Sequence, residues 1–253
     1  MRGRRTAEDG QMELSDRLQA VASLVTAGHR VADIGTDHAY IPIYLLWKGM
    51  APSAIAMDVN EGPLKKAEAH VKENGMEEKI RLRLSDGFEK LEPFEVDTAV
   101  IAGMGGPLMI RILSAYPEVT RSLKELVLQP QSEIAKVRAF LLEEGFLFIQ
   151  EDMVKDDGKY YPMMKAIHGQ DEKFSDEELY YGRTSQQRSK EVLLSYLQKK
   201  ACDGKKIQEI LQKNGQEHSV RMKELKKDEK RIRRFVKKLT EPSSVVSKKE
   251  EMS

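Results

Sequence analysis

Cysteine is almost absent from this sequence, since Cys202 is the only one in 253 residues. A single thiol excludes a disulfide framework and a cysteine-based zinc site. Long hydrophobic runs are also missing: none approaches the roughly 20 residues of a transmembrane helix, and the basic stretch at residues 1–10 has no apolar segment behind it. We therefore expect a soluble, cytoplasmic protein that holds no metal and does not engage a membrane.

Acidic and basic residues nearly balance over the chain, at a net charge of +1, but their placement is uneven. Residues 199–239 hold 15 Lys and Arg against 6 Asp and Glu, so the rest of the chain is net acidic. A basic segment on an acidic body indicates a polyanionic partner. Lysines that only keep a helical segment soluble would give the same pattern, and charge alone leaves both interpretations open.

Short β-forming runs alternate with helical patterns between residues 30 and 168, which predicts an α/β fold with a mostly parallel, Rossmann-like sheet. The predicted strands are RVADI (30–34), SAIAMD (53–58), KIRLRL (79–84), VDTAVIA (96–102) and LKELVLQP (123–130). The predicted helices cover residues 11–28, 39–49, 60–75, 106–117 and 132–145. Residues 146–169 look like two strands around the turn KDDGK, so the sheet should end in an antiparallel hairpin.

No strand pattern returns after about residue 185. Residues 189–215 and 216–239 are helical stretches joined at Asn214-Gly215, and their apolar positions predict an antiparallel helical hairpin. Those positions are 193, 197, 207, 210, 211, 225, 232, 236 and 239. We predict an N-terminal extension and helix at 1–28, a catalytic domain at 29–170, the helical hairpin at 171–240 and a flexible tail at 241–253.

The stretch VADIGTDHAY (31–40) carries acidic groups where a dinucleotide-binding loop carries glycines. In open α/β sheets ligands bind beyond the carboxyl ends of the strands. Asp33, Asp37 and His38 there suit a cationic, hydroxyl-rich ligand better than a pyrophosphate. S-adenosylmethionine fits, because it has a sulfonium, an ammonium and a ribose but no phosphate. Asp33 would hold the ammonium, and Gly35 would let the backbone approach closely.

Further acids follow the next two predicted strands. Asp58 is placed to bind the ribose hydroxyls, although it could instead cap a helix, and Asp86 lies where an adenine amino group would be. A nicotinamide dehydrogenase is the alternative, but the sequence lacks G-x-G-x-x-G and would set Asp37 beside a pyrophosphate without a cation. The predicted cofactor-binding residues are Asp33, Ile34, Gly35, Thr36, His38, Asp58, Val59, Asp86, Gly87 and Gly103.

The stretch IAGMGG (101–106) closes the fourth predicted strand, where its glycines leave room for a flat ring. A tight turn that needs small residues explains the same glycines, and the two interpretations are compatible. Together, LSDRLQAVASLV, VADIGTDHAYIP, IAGMGG, LVLQP and DDGKYYPM resemble, in this order, the bacterial tRNA (adenine-N1)-methyltransferases that act on adenine at position 22. The resemblance covers residues 12–240 and gives no role to the basic residues 1–10.

The resemblance implies a class I methyltransferase that uses S-adenosylmethionine and grips tRNA with a coiled-coil-like C-terminal arm. Adenine N1 already carries a lone pair, so positioning should dominate the rate, with Asp37 stabilising the cationic product. The base must leave its stack, and Tyr40, His38 or Tyr160 could contact it. The predicted catalytic residues are Asp37, His38, Tyr40, Met104, Gly105 and Gly106. The predicted RNA-binding residues are Arg17, Lys226, Lys227, Lys230, Arg231, Arg233 and Arg234.

Three alternatives stay open at this point. The chain could methylate another RNA nucleotide, or bind S-adenosylmethionine and RNA without turnover. It could also act on a small amine or a protein, with the basic hairpin serving dimerisation. Otherwise we expect a monomer. The six arm cations of residues 226–234 span two and a half helical turns, so we expect that they cannot all share one face.

Overall fold

The computed structural model describes residues 4–5 and 12–241. The predicted flexible tail, apart from Glu241, and most of the basic residues 1–10 therefore lie outside the described residues. The strands are β1 Arg4–Arg5, β2 Met12–Glu13, β3 Val31–Ile34, β4 Ala54–Asp58, β5 Ile80–Leu84, β6 Thr98–Met104, β7 Glu125–Pro130, β8 Phe146–Asp156 and β9 Lys159–His168. The helices are α1 Asp16–Leu24, α2 Tyr40–Trp47, α3 Glu61–Glu73, α4 Gly106–Ala115, α5 Pro117–Ser122, α6 Ile134–Glu143, α7 Asp176–Tyr181, α8 Lys190–Lys213 and α9 Val220–Thr240.

Seven strands form one sheet in the order β5-β4-β3-β6-β7-β9-β8. The first five run parallel, and β9 pairs antiparallel with both β7 and β8. The predicted Rossmann-like fold with a closing hairpin is confirmed. The sequence patterns did not predict the two-residue pair β1–β2 or the short helices α5 and α7.

Helices cover both faces of the sheet, which explains why β3 and β7 are buried along their whole length. One hydrophobic core joins α1, α2 and α3 to the sheet, and a second joins α4, α5 and α6 to its other face. The β8–β9 turn places Asp157 and Gly158 at positive φ, +47° and +73°, as a two-residue hairpin loop requires. None of the described helices is long and apolar enough to cross a membrane.

The C-terminal arm, defined here as α8 and α9, is the predicted antiparallel helical hairpin. Its base has a core of its own, in which Leu193, Leu197, Ile232 and Phe235 pack with Met153 of β8 and Tyr181 of α7. The predicted apolar stripe is wrong at two positions nearer the turn of the arm. The residues concerned are Ile207, which is 37% exposed, and Ile210, which is 57% exposed. A pair of helices covers only a narrow stripe of each partner, so residues on the flank stay in water.

A buried ion pair anchors the base of the arm to the sheet. Arg138 of α6 donates to both carboxylate oxygens of Glu151 on β8, at 3.2 and 2.8 Å, and neither side chain is more than 2% exposed. Arg138 also donates to the Leu179 carbonyl of α7 at 2.9 Å. Gln187 donates to Glu151 and to the Tyr181 carbonyl, at 2.9 Å each. One carboxylate therefore connects the sheet to the segment that leads into α8.

Candidate functional site

Asp33 is the most buried acid at the carboxyl edge of the sheet. It lies in β3, is 6% exposed, and accepts a hydrogen bond from the Thr36 hydroxyl at 2.6 Å. Burial raises the pKa of Asp33 to about 6, the Thr36 bond opposes the shift, and the nearby charge of Asp58 adds to it. A buried carboxylate with a raised pKa is poised to gain from a cationic ligand. The neighbouring Ile34 has its side chain in the core and offers only its backbone to a ligand.

The turn after β3 is fixed to the end of β4. The amides of Gly35 and Thr36 both donate to the Met57 carbonyl at 2.8 Å. Gly35 has a φ of +73°, and a Cβ at that position would overlap Cε of Met104. The positive φ favours glycine here, and the Met104 side chain brings the end of β6 against the β3 turn.

Asp58 ends β4 with one carboxylate oxygen already engaged. Its Oδ1 accepts from the Asn60 amide at 2.7 Å, while the Asn60 side chain makes no capping bond for α3. Asp58 thus supports the turn locally, and among the described residues no side chain donates to it. Val59 beside it is 58% exposed, an apolar surface next to an acid.

Asp86 follows β5, and its carboxylate forms an ion pair with an arginine. Arg111 of α4 reaches its two carboxylate oxygens at 3.1 and 3.3 Å in an exposed pair. The pair borders a cleft of about 360 Å³ that Ile112 and Tyr116 also line. An exposed pair contributes no more than about 1 kcal/mol, so a ligand amino group could displace it. Gly87 is buried against Ile112 with a φ of +59°.

His38 and Ala39 both have left-handed backbones, with φ of +67° and +55°, where glycines are the usual choice. Each such residue costs on the order of 1–2 kcal/mol. The His38 ring stacks on Tyr40, with centroids 5.0 Å apart and planes 4° apart, and its Nε2 lies 3.3 Å from the exposed Asp37 carboxylate. Its Nδ1 is buried without a hydrogen-bond partner. Burial lowers the pKa of His38, and Asp37 opposes that shift.

The IAGMGG turn is built for close backbone contact. Gly103 has a φ of +79° and lies where the β6–β7 register shifts. The Gly106 amide donates to the Ser132 carbonyl at 3.1 Å, and a Cβ on Gly106 would come within 2.5 Å of that oxygen. A Cβ on Gly105 would lie 3.2 Å from the Ser132 hydroxyl. The tight-turn interpretation is confirmed for Gly106.

Arg17 lies at this edge of the sheet, far in sequence from the arm cations with which it was predicted to bind RNA. Its Nη1 donates to the Gln129 amide oxygen at 3.1 Å, and its guanidinium lies 5.5 Å from the Tyr161 ring. A Cβ on Gly103 would be 3.6 Å from that nitrogen. Sequence reasoning missed Gln129 and Tyr161. A polar residue closing the apolar run LVLQP was the available signal for Gln129, which is fully buried.

Tyr160 does not join this group. Its hydroxyl lies 2.9 Å from the Ser195 hydroxyl, and its ring packs against Tyr196 at 5.4 Å. Both partners belong to α8, so Tyr160 packs between the hairpin and the arm.

Arg231 corrects the predicted RNA-binding set. It is 3% exposed, pairs with Asp176 at 2.8 Å and with Asp228, and stacks on the Tyr180 ring at 3.5 Å. Its guanidinium is thus committed to holding α7 against α9 and does not face solvent.

The other five predicted arm cations are exposed and lie on one face of α9. Successive helical residues turn by about 100°, which places these five within one sector of about 120° on α9. They are Lys226, Lys227, Lys230, Arg233 and Arg234. The sector lies opposite the buried stripe of Leu225 and Ile232. The expectation that the six cations cannot all share one face is confirmed, because Arg231 is buried against α7 while the other five are exposed.

Among residues 4–5 and 12–241, no three His, Cys, Asp or Glu side chains come together as a metal site requires. The strand ends bring together the acids, the rings and the glycine turn. Together these offer a buried negative charge, exposed carboxylates and a tight backbone cleft at one edge of the sheet.

Comparison with known proteins identifies chains with this architecture. A family model described as a methyltransferase domain matches residues 14–164. The tRNA (adenine(22)-N(1))-methyltransferase of Bacillus subtilis (strain 168) is 37% identical over 159 residues, which is 63% of this chain and 67% of that protein.

Solved structures agree with the sequence match. A Streptococcus pneumoniae protein assigned as a tRNA (m1A22) methyltransferase, in complex with S-adenosyl-L-methionine, has a TM-score of 0.77 and 31% identity, covering 88% of this chain and 100% of that one. M. capricolum TrmK in complex with S-adenosyl-homocysteine has a TM-score of 0.78 and 25% identity, covering 88% of this chain and 98% of that one.

Proposed function

Because this chain belongs to the family of tRNA (adenine(22)-N(1))-methyltransferases, we propose that it methylates N1 of adenine 22 in tRNA. We also propose which of its residues take part in that reaction. The observation that carries the assignment is the pair of acids on neighbouring strands, buried Asp33 on β3 and half-buried Asp58 on β4. When bound, S-adenosyl-L-methionine would supply a methyl group on its sulfonium: a bond from N1 to the methyl carbon would form in line as the S–CH₃ bond breaks, leaving S-adenosyl-homocysteine and a cationic base.

The acids at the strand ends fit this donor. Asp33 would face its ammonium, because a cation beside a buried carboxylate offsets the cost of burying that charge. The free oxygen of Asp58 would accept from the ribose, and exposed Val59 would cover one face of the adenine. Asp86 would take the adenine amino group in exchange for Arg111. Gly35 has no side chain of its own to block the donor, and Cε of Met104 fills the place where its Cβ would stand.

The target base would enter between the β3 turn and the IAGMGG turn. Neutral N1 needs no base to become a nucleophile, so the task of the protein is alignment and exclusion of water. The His38–Tyr40 stack offers a flat surface for an adenine turned out of its helix. The exposed Asp37 carboxylate lies beside that stack and would stabilise the positive charge that develops on the methylated ring.

Arg17, held by the buried Gln129, would form the far wall of the base pocket. Gln129 is fully buried, accepts from Arg17 through its amide oxygen and donates from its amide nitrogen to the Pro130 carbonyl at 3.4 Å, so it fixes the orientation of the Arg17 guanidinium. Arg17 would then serve the base pocket and the adjoining phosphate, and not the arm surface.

We expect Asp58→Ala to raise the Kd for S-adenosyl-L-methionine about 10- to 100-fold, because a hydrogen bond to a charged acceptor contributes roughly 1.5–3 kcal/mol. The melting temperature should change little, since Asp58 makes one local backbone bond. Isothermal titration measures the affinity, with exposed Glu61→Ala on α3 as the matched control. Wild-type affinity in Asp58→Ala would remove the ribose assignment.

The exposed cationic face of α9 would bind tRNA phosphates without base specificity. Lys226, Lys227 and Lys230 have no ion-pair partner among the described residues, whereas Arg233 and Arg234 pair with Glu229 and Glu177. The three lysines are therefore the ones most available to phosphate. We propose that the arm works in a monomer and in the cytoplasm, where tRNA is.

Changing Lys226, Lys227 and Lys230 together to Gln should weaken tRNA binding and flatten its salt dependence. Each phosphate that is no longer neutralised lowers the log–log slope by about 0.9 on duplex RNA or less on single strands. Donor affinity should not change, because the arm lies outside the sheet. A titration at several salt concentrations tests this, with Lys65, Lys72 and Lys79 changed to Gln as the charge-matched control. An unchanged salt slope would mean that the lysines serve only solubility.

A further inference from the structure

One residue of α3 reaches the strained turn after β3. His70 Nδ1 lies 3.2 Å from the His38 carbonyl oxygen, and since a carbonyl only accepts, Nδ1 is the donor. The His70 ring also lies 4.8 Å from the His38 ring and 5.4 Å from the Tyr40 ring. His70 thus contributes both a hydrogen bond and ring contact from a helix outside the turn.

The turn needs such support. His38 and Ala39 are consecutive left-handed residues without a glycine, and Ala39 starts α2 with no side-chain cap. Conformations of this kind persist only where the surroundings hold them. His38 Nδ1 is also buried without a hydrogen-bond partner, which adds an unfavourable contribution that the surrounding contacts must offset. The contacts from His70 are therefore part of what holds this strained backbone in place.

We propose that His70 is a positioning residue for the methyl transfer. By fixing the His38 carbonyl and ring, it holds the turn of residues 36–39 so that Asp37 and His38 face the donor and the target base. The proposal rests on the function and donor site assigned above. It concerns a residue that does not itself touch the reacting atoms.

His70→Ala should raise the KM for S-adenosyl-L-methionine and lower kcat, each by about five- to tenfold, because the variant lacks one hydrogen bond and the ring packing. The KM for tRNA should stay within about twofold, since the arm is untouched. Steady-state kinetics at a temperature well below the melting transition measures all three. Exposed Glu68→Ala on the same helix is the matched control and should match wild type.

Two conservative variants separate positioning from general support of the fold. His70→Asn keeps an N–H near the place of Nδ1, and His70→Phe keeps a ring; each should recover part of the donor KM that His70→Ala loses. Ala39→Gly provides a rescue, because glycine adopts a positive φ without strain. In the Ala39→Gly background, the effect of His70→Ala should shrink to about twofold or less.

Wild-type kinetics in His70→Ala would overturn the proposal. So would an equal loss with and without Ala39→Gly, since His70 would then act independently of the strained turn. Measuring Asp58→Ala in parallel distinguishes a failure of the role proposed for His70 from a failure of the donor-site assignment. If Asp58→Ala weakens donor binding while His70→Ala does not, only the role of His70 fails; if neither does, the donor site itself is misplaced.

Discussion

Asp33→Asn is expected to weaken binding of S-adenosyl-L-methionine by roughly 30-fold or more, and at the same time to make the ligand-free protein more stable. Asparagine has nearly the same shape and can still accept from the Thr36 hydroxyl, which lies 2.6 Å from the carboxylate. It cannot supply the buried negative charge for the donor ammonium. Removing one member of a buried charge pair costs about 2–5 kcal/mol of binding.

The gain in stability follows from the raised pKa of Asp33. Burial moves that pKa from 3.8 to about 6, so between pH 4 and pH 6 the folded state binds more protons than the unfolded state. The free energy of unfolding therefore falls as the pH rises through this window, and the loss persists above it. At pH 7 the carboxylate destabilises the ligand-free fold by roughly 2–3 kcal/mol. The Asp33→Asn variant would carry no such pH-dependent loss.

Calorimetry without ligand at pH 4 and pH 7, with titration of the donor at pH 7, measures both effects of Asp33→Asn. The variant should melt higher than wild type at pH 7, and the difference should shrink toward pH 4. Exposed Glu61→Gln is the control and should change neither quantity. Retained donor affinity would show that Asp33 does not bind the donor ammonium. An unchanged melting temperature at pH 7 would show that the charge of Asp33 is compensated in the ligand-free protein.

Glu151→Gln is expected to lower the free energy of unfolding by about 3–5 kcal/mol, which corresponds to a fall of roughly 10 °C in melting temperature for a chain of this size. The variant leaves the Arg138 guanidinium buried without a counter-charge, and its amide N–H₂ would face donors from Arg138 or Gln187. Because these residues join β8 to the segment that leads into α8, the arm should loosen from the sheet.

Thermal unfolding and tRNA affinity together test this joint. Glu172→Gln is the control, because Glu172 lies on the connecting segment with its side chain 94% exposed. The expected result is a large loss of stability with weaker tRNA binding and preserved donor binding at low temperature. A change in stability under about 1 kcal/mol, the usual ceiling for an exposed pair, would show that the buried pair is not what holds the arm.

Positions that depend on strand order were predictable from the sequence. Asp33 and Asp58 close parallel strands that the β-forming runs identified, and parallel strands end at one edge of a sheet. Their closeness then follows without knowledge of any side-chain contact. The hairpin turn at Asp157 and Gly158 was equally local, because its backbone requirement is met by the two residues themselves.

Contacts between distant segments were not predictable. Arg231 looks like its basic neighbours in the sequence, and only the folded chain brings Asp176, 55 residues away, to its guanidinium. Arg17 and Gln129 are 112 residues apart, and neither signals the other. The left-handed turn at His38 is hidden for a different reason: glycine normally marks such a backbone, and here contacts with His70 take its place.

The position of methylation on tRNA tests the central claim most directly. The protein is incubated with S-adenosyl-L-methionine and an unmodified tRNA transcript that carries adenine at position 22, and primer extension then maps where the modified base stops reverse transcription. We predict a new stop at position 22, N1-methyladenosine in the digested product, and neither signal when that adenine is replaced by guanine. Absence of methylation, or a stop at another nucleotide that survives the replacement, would contradict the assigned function.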